Sequence, residues 1–207
     1  MKNKILIIIT IFFQIIFANK LFSKEIDFQA KEIEILNDQN LTIAKNGTAI
    51  IKDDGVIIEG KTIEYFKDKS LLIINQGKIS TIDKNFEIVS NLIEYKINES
   101  NLDFRDNVYL RDKNNNLVIE SDKINYNLNN RKIISRSYSE IFDKFDNTYK
   151  VDSFEYSIKE KIIKLNNLVA QDKDKNLFLV DLSYLDLNKK ELVAKDISMN
   201  FKLIETS

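Results

Sequence analysis

The adjacent carboxylates Asp53 and Asp54 are the closest approach to a reactive pair in this 207-residue chain. Two carboxyls side by side would serve as a general acid and base or as ligands for calcium. The same chemistry recurs at intervals, however, as Asp83-Lys84-Asn85, Asp112 to Asn116, Asp143 to Asn147 and Asp172 to Asn176. Asp, Asn and Gly tolerate a left-handed backbone and bond their own main chain, so these clusters read as solvated hairpin turns. Histidine and cysteine are absent, which removes the commonest general base, the zinc ligand sets and the thiol nucleophile together. Without histidine no Ser/His arrangement forms, and no phosphate-cradling G-x-x-x-x-G-K-[ST] loop occurs among only four glycines. The expectation is a protein that is not an enzyme, with no metal site and no cofactor.

A second series has the opposite character. Tyr65, Tyr95, Tyr126, Tyr156 and Tyr184 recur 30, 31, 30 and 28 residues apart, preceded two positions earlier by Ile63, Ile93, Ile124, Phe154 and Leu182. Ile33 and Ile35 extend the series backwards by one step. A period of this length marks one supersecondary unit stacked on copies of itself, because a single unit cannot bury its own apolar face. A small or polar residue keeps the same period at Gly47, Gly77, Asn107, Ser137 and Asn167. Turn clusters also follow each tyrosine, at Lys67-Asp68-Lys69, Asn98-Glu99-Ser100, Asn129-Asn130-Arg131, Lys159-Glu160-Lys161 and Asn188-Lys189-Lys190.

Two turns per period leave two strands. Stretches such as Ile63-x-Tyr65, Leu102-x-Phe104 and Leu117-x-Ile119 alternate as half-buried strands do, and β-branched residues dominate the apolar positions. A glycine or asparagine in mid-strand marks a bulge or bend. Strands bent at one repeated point fold over, which predicts an all-β chain: a jellyroll, or V-shaped antiparallel sandwich, of tandem hairpin repeats of about 30 residues. Its terminal edges would be open to pairing with another chain.

Lys+Arg (31) and Asp+Glu (32) nearly cancel, so there is no basic footprint for nucleic acid. The crowding of Ile, Asn and Lys has the mark of an AT-rich coding sequence, which inflates the apolar and amide signals. At the N-terminus, Lys2 and Lys4 precede an apolar run from Ile5 to Ala18. That is the pattern of a secretory signal peptide, too short to span a bilayer comfortably. Residues 1–23 are therefore expected to be a leader, with small residues at Ala18 and Ser23 as alternative ends, and residues 24–207 one exported domain. An uncleaved anchor is the alternative.

Taken together, the Ile-x-Tyr units, bends and Asp/Asn turns behind a leader resemble the periplasmic β-jellyroll of the lipopolysaccharide-transport family, the OstA-like domain, over roughly 28–201. In that family the domain occurs as the soluble bridge component LptA, the inner-membrane-anchored LptC, and the N-terminal domain of the outer-membrane assembly protein LptD. The stretch from Leu185 to Phe201 looks like the end of the LptD domain, although the stapling cysteines of that protein are missing. The resemblance implies a periplasmic scaffold, near the outer membrane, that passes lipopolysaccharide along an apolar groove. Ile63, Tyr65, Ile93, Tyr95, Ile124, Tyr126, Phe154, Tyr156, Leu182 and Tyr184 would line that groove. It also implies partners: the acyl chains of lipid A, other jellyroll proteins joined by edge-strand pairing, and, for an LptD-type chain, an outer-membrane barrel. Two other readings fit an exported β-repeat: a surface adhesin or parallel β-solenoid, and a membrane β-barrel, which the charged strands disfavour.

Overall fold

The computed structural model describes residues 24–36, 40–172 and 175–200, the last six by backbone alone. The expected leader lies outside the described residues. Fourteen strands form one sheet in which every pairing is antiparallel. β1 (Asp27–Leu36), β2 (Leu41–Ile51), β3 (Val56–Phe66), β4 (Leu71–Thr81), β5 (Phe86–Lys96), β6 (Asn101–Asp112) and β7 (Leu117–Asn127) follow as a meander. Next come two interrupted runs. β8 (Lys132–Ser135) and β9 (Ser139–Phe142) both pair with β7, and β10 (Thr148–Val151) and β11 (Ser153–Ser157) both pair with β12 (Ile162–Gln171). β13 (Leu177–Asp186) and β14 (Glu191–Asn200) complete the sheet. Parallel coils are absent from the described residues, which removes the parallel solenoid.

The sheet is folded over along a crease, and the burial pattern shows how. In β3 the inward residues are Val56 and Ile58, then Ile63; in β4 they are Leu72 and Ile74, then Ile79; in β7 they are Leu117 and Ile119, then Ile124 and Tyr126. Inward positions alternate with a period of two in each half and slip by one residue midway. A slip of one exchanges the faces of a strand, so each half-strand keeps its apolar side facing the same interior after the chain has turned the corner. Left-handed residues make the turn at Asn46, Gln76, Asp106, Asn107 and Asn167. The bends expected around Gly47, Gly77, Asn107 and Asn167 are therefore present, with the left-handed residue one place earlier in β2 and β4. At Ser137 the strand breaks altogether, between β8 and β9.

Small residues line the inside of the crease. Ala30, Gly47, Gly60, Gly77 and Ser90 are register partners on successive strands. A Cβ on Gly60 or Gly77 would lie 2.5 or 2.4 Å from the Ile74 Cγ2 methyl, so the two layers close on each other only because these side chains are missing. Further along, the buried hydroxyls of Ser121, Ser135 and Ser139 bond one another at 2.9–3.3 Å. The outer face carries ion pairs between neighbouring strands, such as Lys78–Glu59 and Lys132–Glu155. An apolar inside and a charged outside are the reverse of a membrane barrel, and among the described residues β1 and β14 each have a single partner strand.

Candidate functional site

Folding at the crease brings opposite ends of the strands together from β1 to β11. A flat strand of 11 residues would hold its ends about 35 Å apart, yet the turn before β3 touches the turn after β5. The contacting rims form a seam along the molecule, one rim being the Asp/Asn turns and the other the turns that follow the tyrosines. Each rim is stacked by main-chain bonds: Lys67, Ile97, Leu128, Ile158 and Leu187 N–H donate to the carbonyls of Asn40, Ser70, Ser100, Arg131 and Lys161, and Ile82 and Lys113 to Gly55 and Asn85. Between the rims no strand pairing appears among the described residues, and side chains alone make the closure.

The tyrosines make that closure, in two alternating chemistries. Tyr65 meets the Phe28 ring at 6.1 Å, and Tyr126 meets Phe86 at 5.6 Å. Tyr95 donates its hydroxyl to Asp54, and Tyr156 donates to Asp112 Oδ2 at 2.6 Å. At the first polar rung, Lys24 Nζ donates to both Asp54 oxygens at 2.6 and 2.9 Å and to Ser100 Oγ at 2.5 Å, and Ser100 donates in turn to Asp54 Oδ1. At the second, Asn115 Nδ2 donates to Asp112 Oδ2 at 2.7 Å and to the Tyr156 hydroxyl at 2.9 Å. Burial, with the adjacent Asp54 or Asp112 carboxylate as a further cause, holds the Tyr95 and Tyr156 hydroxyls well above the ordinary phenol range. Burial likewise pushes Tyr126 up to about 12, against the opposing pull of Arg131.

Between the two polar rungs lies a cleft of about 970 Å³. Its floor includes Val56, Phe86 and Tyr126, and its rims carry Asp112 on one side and Arg131 and Lys161 on the other. This is an amphipathic slot, apolar below and charged at the lips.

The ten residues expected in the groove separate into three groups. Ile63, Ile93, Tyr95, Ile124, Tyr126, Phe154 and Tyr156 share one continuous buried cluster, and all but Tyr126 have no exposed surface. Tyr65 packs half-buried against that cluster. Leu182 and Tyr184 do not join them: they are 37% and 43% exposed on the outer face of β13. Ser183 and Leu185 occupy their inward places, opposite Leu165 and Ile163, which themselves oppose Phe154 and Tyr156. The last spacing is 28, whereas the structural equivalent of Tyr156 is 29 residues on, so matching Leu182-x-Tyr184 to the motif put the strand one residue out of phase. Asp54 is also corrected: its side chain is 6% exposed and committed to the seam, not solvated.

Ser100, Asp112, Asn115, Arg131 and Lys161 belong to the turn clusters but were read there as solvated turn residues, not as seam residues, and Lys24 belongs to none of them. A signal for the paired rungs exists, since Asp54 and Asp112 lie 58 residues apart and Tyr95 and Tyr156 lie 61 apart. No group of His, Cys, Asp and Glu able to hold a metal ion occurs among the described residues.

No family model matches the chain, and no curated protein matches it. Among solved structures it is similar to one described as LptH, the LptA homologous periplasmic component of the conserved lipopolysaccharide transport device from Pseudomonas aeruginosa. That likeness covers 69% of this chain and 82% of the other, at 10% identity and a TM-score of 0.28.

Proposed function

We propose that this chain is a periplasmic lipopolysaccharide-binding scaffold of a transport bridge, similar in role to the N-terminal domain of the outer-membrane assembly protein or to the free-standing bridge component. Acyl chains would occupy the interior between the two rims, and the saccharide head would remain outside. The observation that carries the reading is the seam. A core running the length of the sheet is closed along one side by side chains, without a backbone ladder. Each such contact contributes about 1–3 kcal/mol net, so the rims can part locally while every strand keeps its partners. Apolar surface uncovered in this way is covered again by an acyl chain at about 25 cal/mol per Å², which makes exchange nearly neutral.

The N-terminal end supports the same reading. Ile33 and Ile35 point to the inner face, in register with Ala44 and Thr42, yet are 46% and 63% exposed. The apolar interior thus continues to an uncovered mouth at the β1 edge, where a second jellyroll edge or a lipid tail would extend it. A photo-crosslinking residue at Tyr95 or Tyr126 is expected to capture lipopolysaccharide, whereas one at the exposed Lys96 is not. Equal capture at inner and outer positions would sink the proposal. The filled interior favours one competing reading, an exported structural or adhesin-type repeat protein, and absence of capture at all three positions would select it.

A further inference from the structure

The two polar rungs of the seam are copies of one socket, and among the described residues only the first is filled with a cation. In the first, the Asp54 carboxylate takes the Tyr95 hydroxyl on Oδ2, and Oδ1 takes Ser100 and the Lys24 ammonium. In the second, two repeats on, the Asp112 carboxylate takes the Tyr156 hydroxyl and the Asn115 amide on Oδ2, and among the described residues Oδ1 receives only the Asn115 backbone N–H at 3.2 Å. Asp112 is 2% exposed. Among the described residues no lysine or arginine lies within ion-pair distance of it. It nevertheless borders the cleft of about 970 Å³. A buried carboxylate is stabilised by a paired charge, and the first socket shows which one this geometry accepts.

We propose that the Asp112–Tyr156–Asn115 socket binds the primary ammonium group of a ligand entering through the seam cleft. Its Nζ-like nitrogen would donate to Asp112 Oδ1, as Lys24 does to Asp54. The surrounding charges permit this: Asp53, Asp83 and Asp112 outnumber Arg131 and Lys161 along the cleft, and Asp54 is neutralised by Lys24. A primary ammonium has three donors on a compact point charge. A quaternary ammonium has none, so it would not satisfy the socket. The inference uses the seam geometry alone and stands or falls separately from lipopolysaccharide capture at Tyr95 and Tyr126.

Ethanolamine, with choline as the quaternary control, is the probe, titrated against the full chain while the Asn115 side-chain amide is followed by NMR. One ethanolamine is expected per chain, with no response to choline. Asp112→Asn should weaken binding at least tenfold. A far-ultraviolet circular dichroism spectrum matching that of the parent chain guards against reading a folding defect in Asp112→Asn as lost binding. Lys24→Ala removes the ammonium and its stem from the first socket and should raise the stoichiometry from one to two. Sedimentation with phosphatidylethanolamine–phosphatidylglycerol vesicles against vesicles of phosphatidylglycerol alone distinguishes a lipid headgroup from a free amine as the source. Equal response to choline, unchanged affinity in Asp112→Asn, or an unchanged stoichiometry in Lys24→Ala would each overturn the proposal.

Discussion

Each buried polar group of the seam is a stake placed where sheet proteins usually have none. Asp54 joins Lys24, Tyr95 and Ser100 in one place, so Asp54→Ala would strand an ammonium and a phenol together. A loss of about 3 kcal/mol is expected from removing one partner of a part-buried, charge-assisted cluster, read as a lowered urea midpoint at constant slope. Ser183 presents the opposite case. Its hydroxyl is fully buried and has no hydrogen-bond partner among the described residues, so Ser183→Ala should stabilise the chain by about 1 kcal/mol. Tyr95, Tyr126, Tyr149 and Tyr156 all have raised pKa values, with burial as the first cause. A folded pKa above the unfolded value of about 10 means that their contribution is complete below that pH. It is lost as pH rises towards and past the folded values, because the unfolded chain releases protons that the folded chain retains. Alkaline unfolding above about pH 10 should therefore coincide with phenolate absorbance from these four residues in a single transition.

Strands, bends and turns were mostly readable from residue types, because each asks for something local. Alternation locates a half-buried strand, and Asp/Asn clusters locate turns. A small residue at a constant phase locates the crease, where Gly60 and Gly77 leave room for Ile74. Gly77→Ala should cost about 1–3 kcal/mol by overpacking, and combining it with Ile74→Ala should cost clearly less than the sum of the single changes, since the second removes the methyl that the first meets. What could not be read was phase. Leu182 and Tyr184 carry the right residue types at nearly the right spacing, but a one-residue slip moves a strand's whole apolar set to the other face. Only the pairing with β12 decides which face is inside. The seam partners were hidden for a related reason: Asp54 and Tyr95 are 41 residues apart, and their meeting depends on how sharply the intervening strands bend.

For the molecule as a whole, the sheet has two unlike ends. β1 leaves inner-face apolar residues uncovered at Ile33 and Ile35, whereas β13 and β14 leave outer-face ones at Leu177, Leu179, Tyr184 and Val193. Introducing Ile33→Lys and Ile35→Lys together should change stability little, since both are substantially exposed. It should reduce end-to-end association by the β1 edge, measured as a lower weight-average mass in sedimentation at high protein concentration. The same pair of changes should lower lipopolysaccharide capture from Tyr126 if lipid enters by that mouth, and leave it unchanged if entry is through the seam.

The crease also has a consequence for how such a chain tolerates change over time. β6 carries one residue more than its neighbours, taken up by Asp106 and Asn107 where the register shifts between Arg105 and Val108. The tyrosine interval widens to 31 across that strand. Corners of this kind act as expansion joints. A residue gained or lost there is absorbed before it can invert the next half-strand, so length variants should survive at the fold line and fail a few residues to either side.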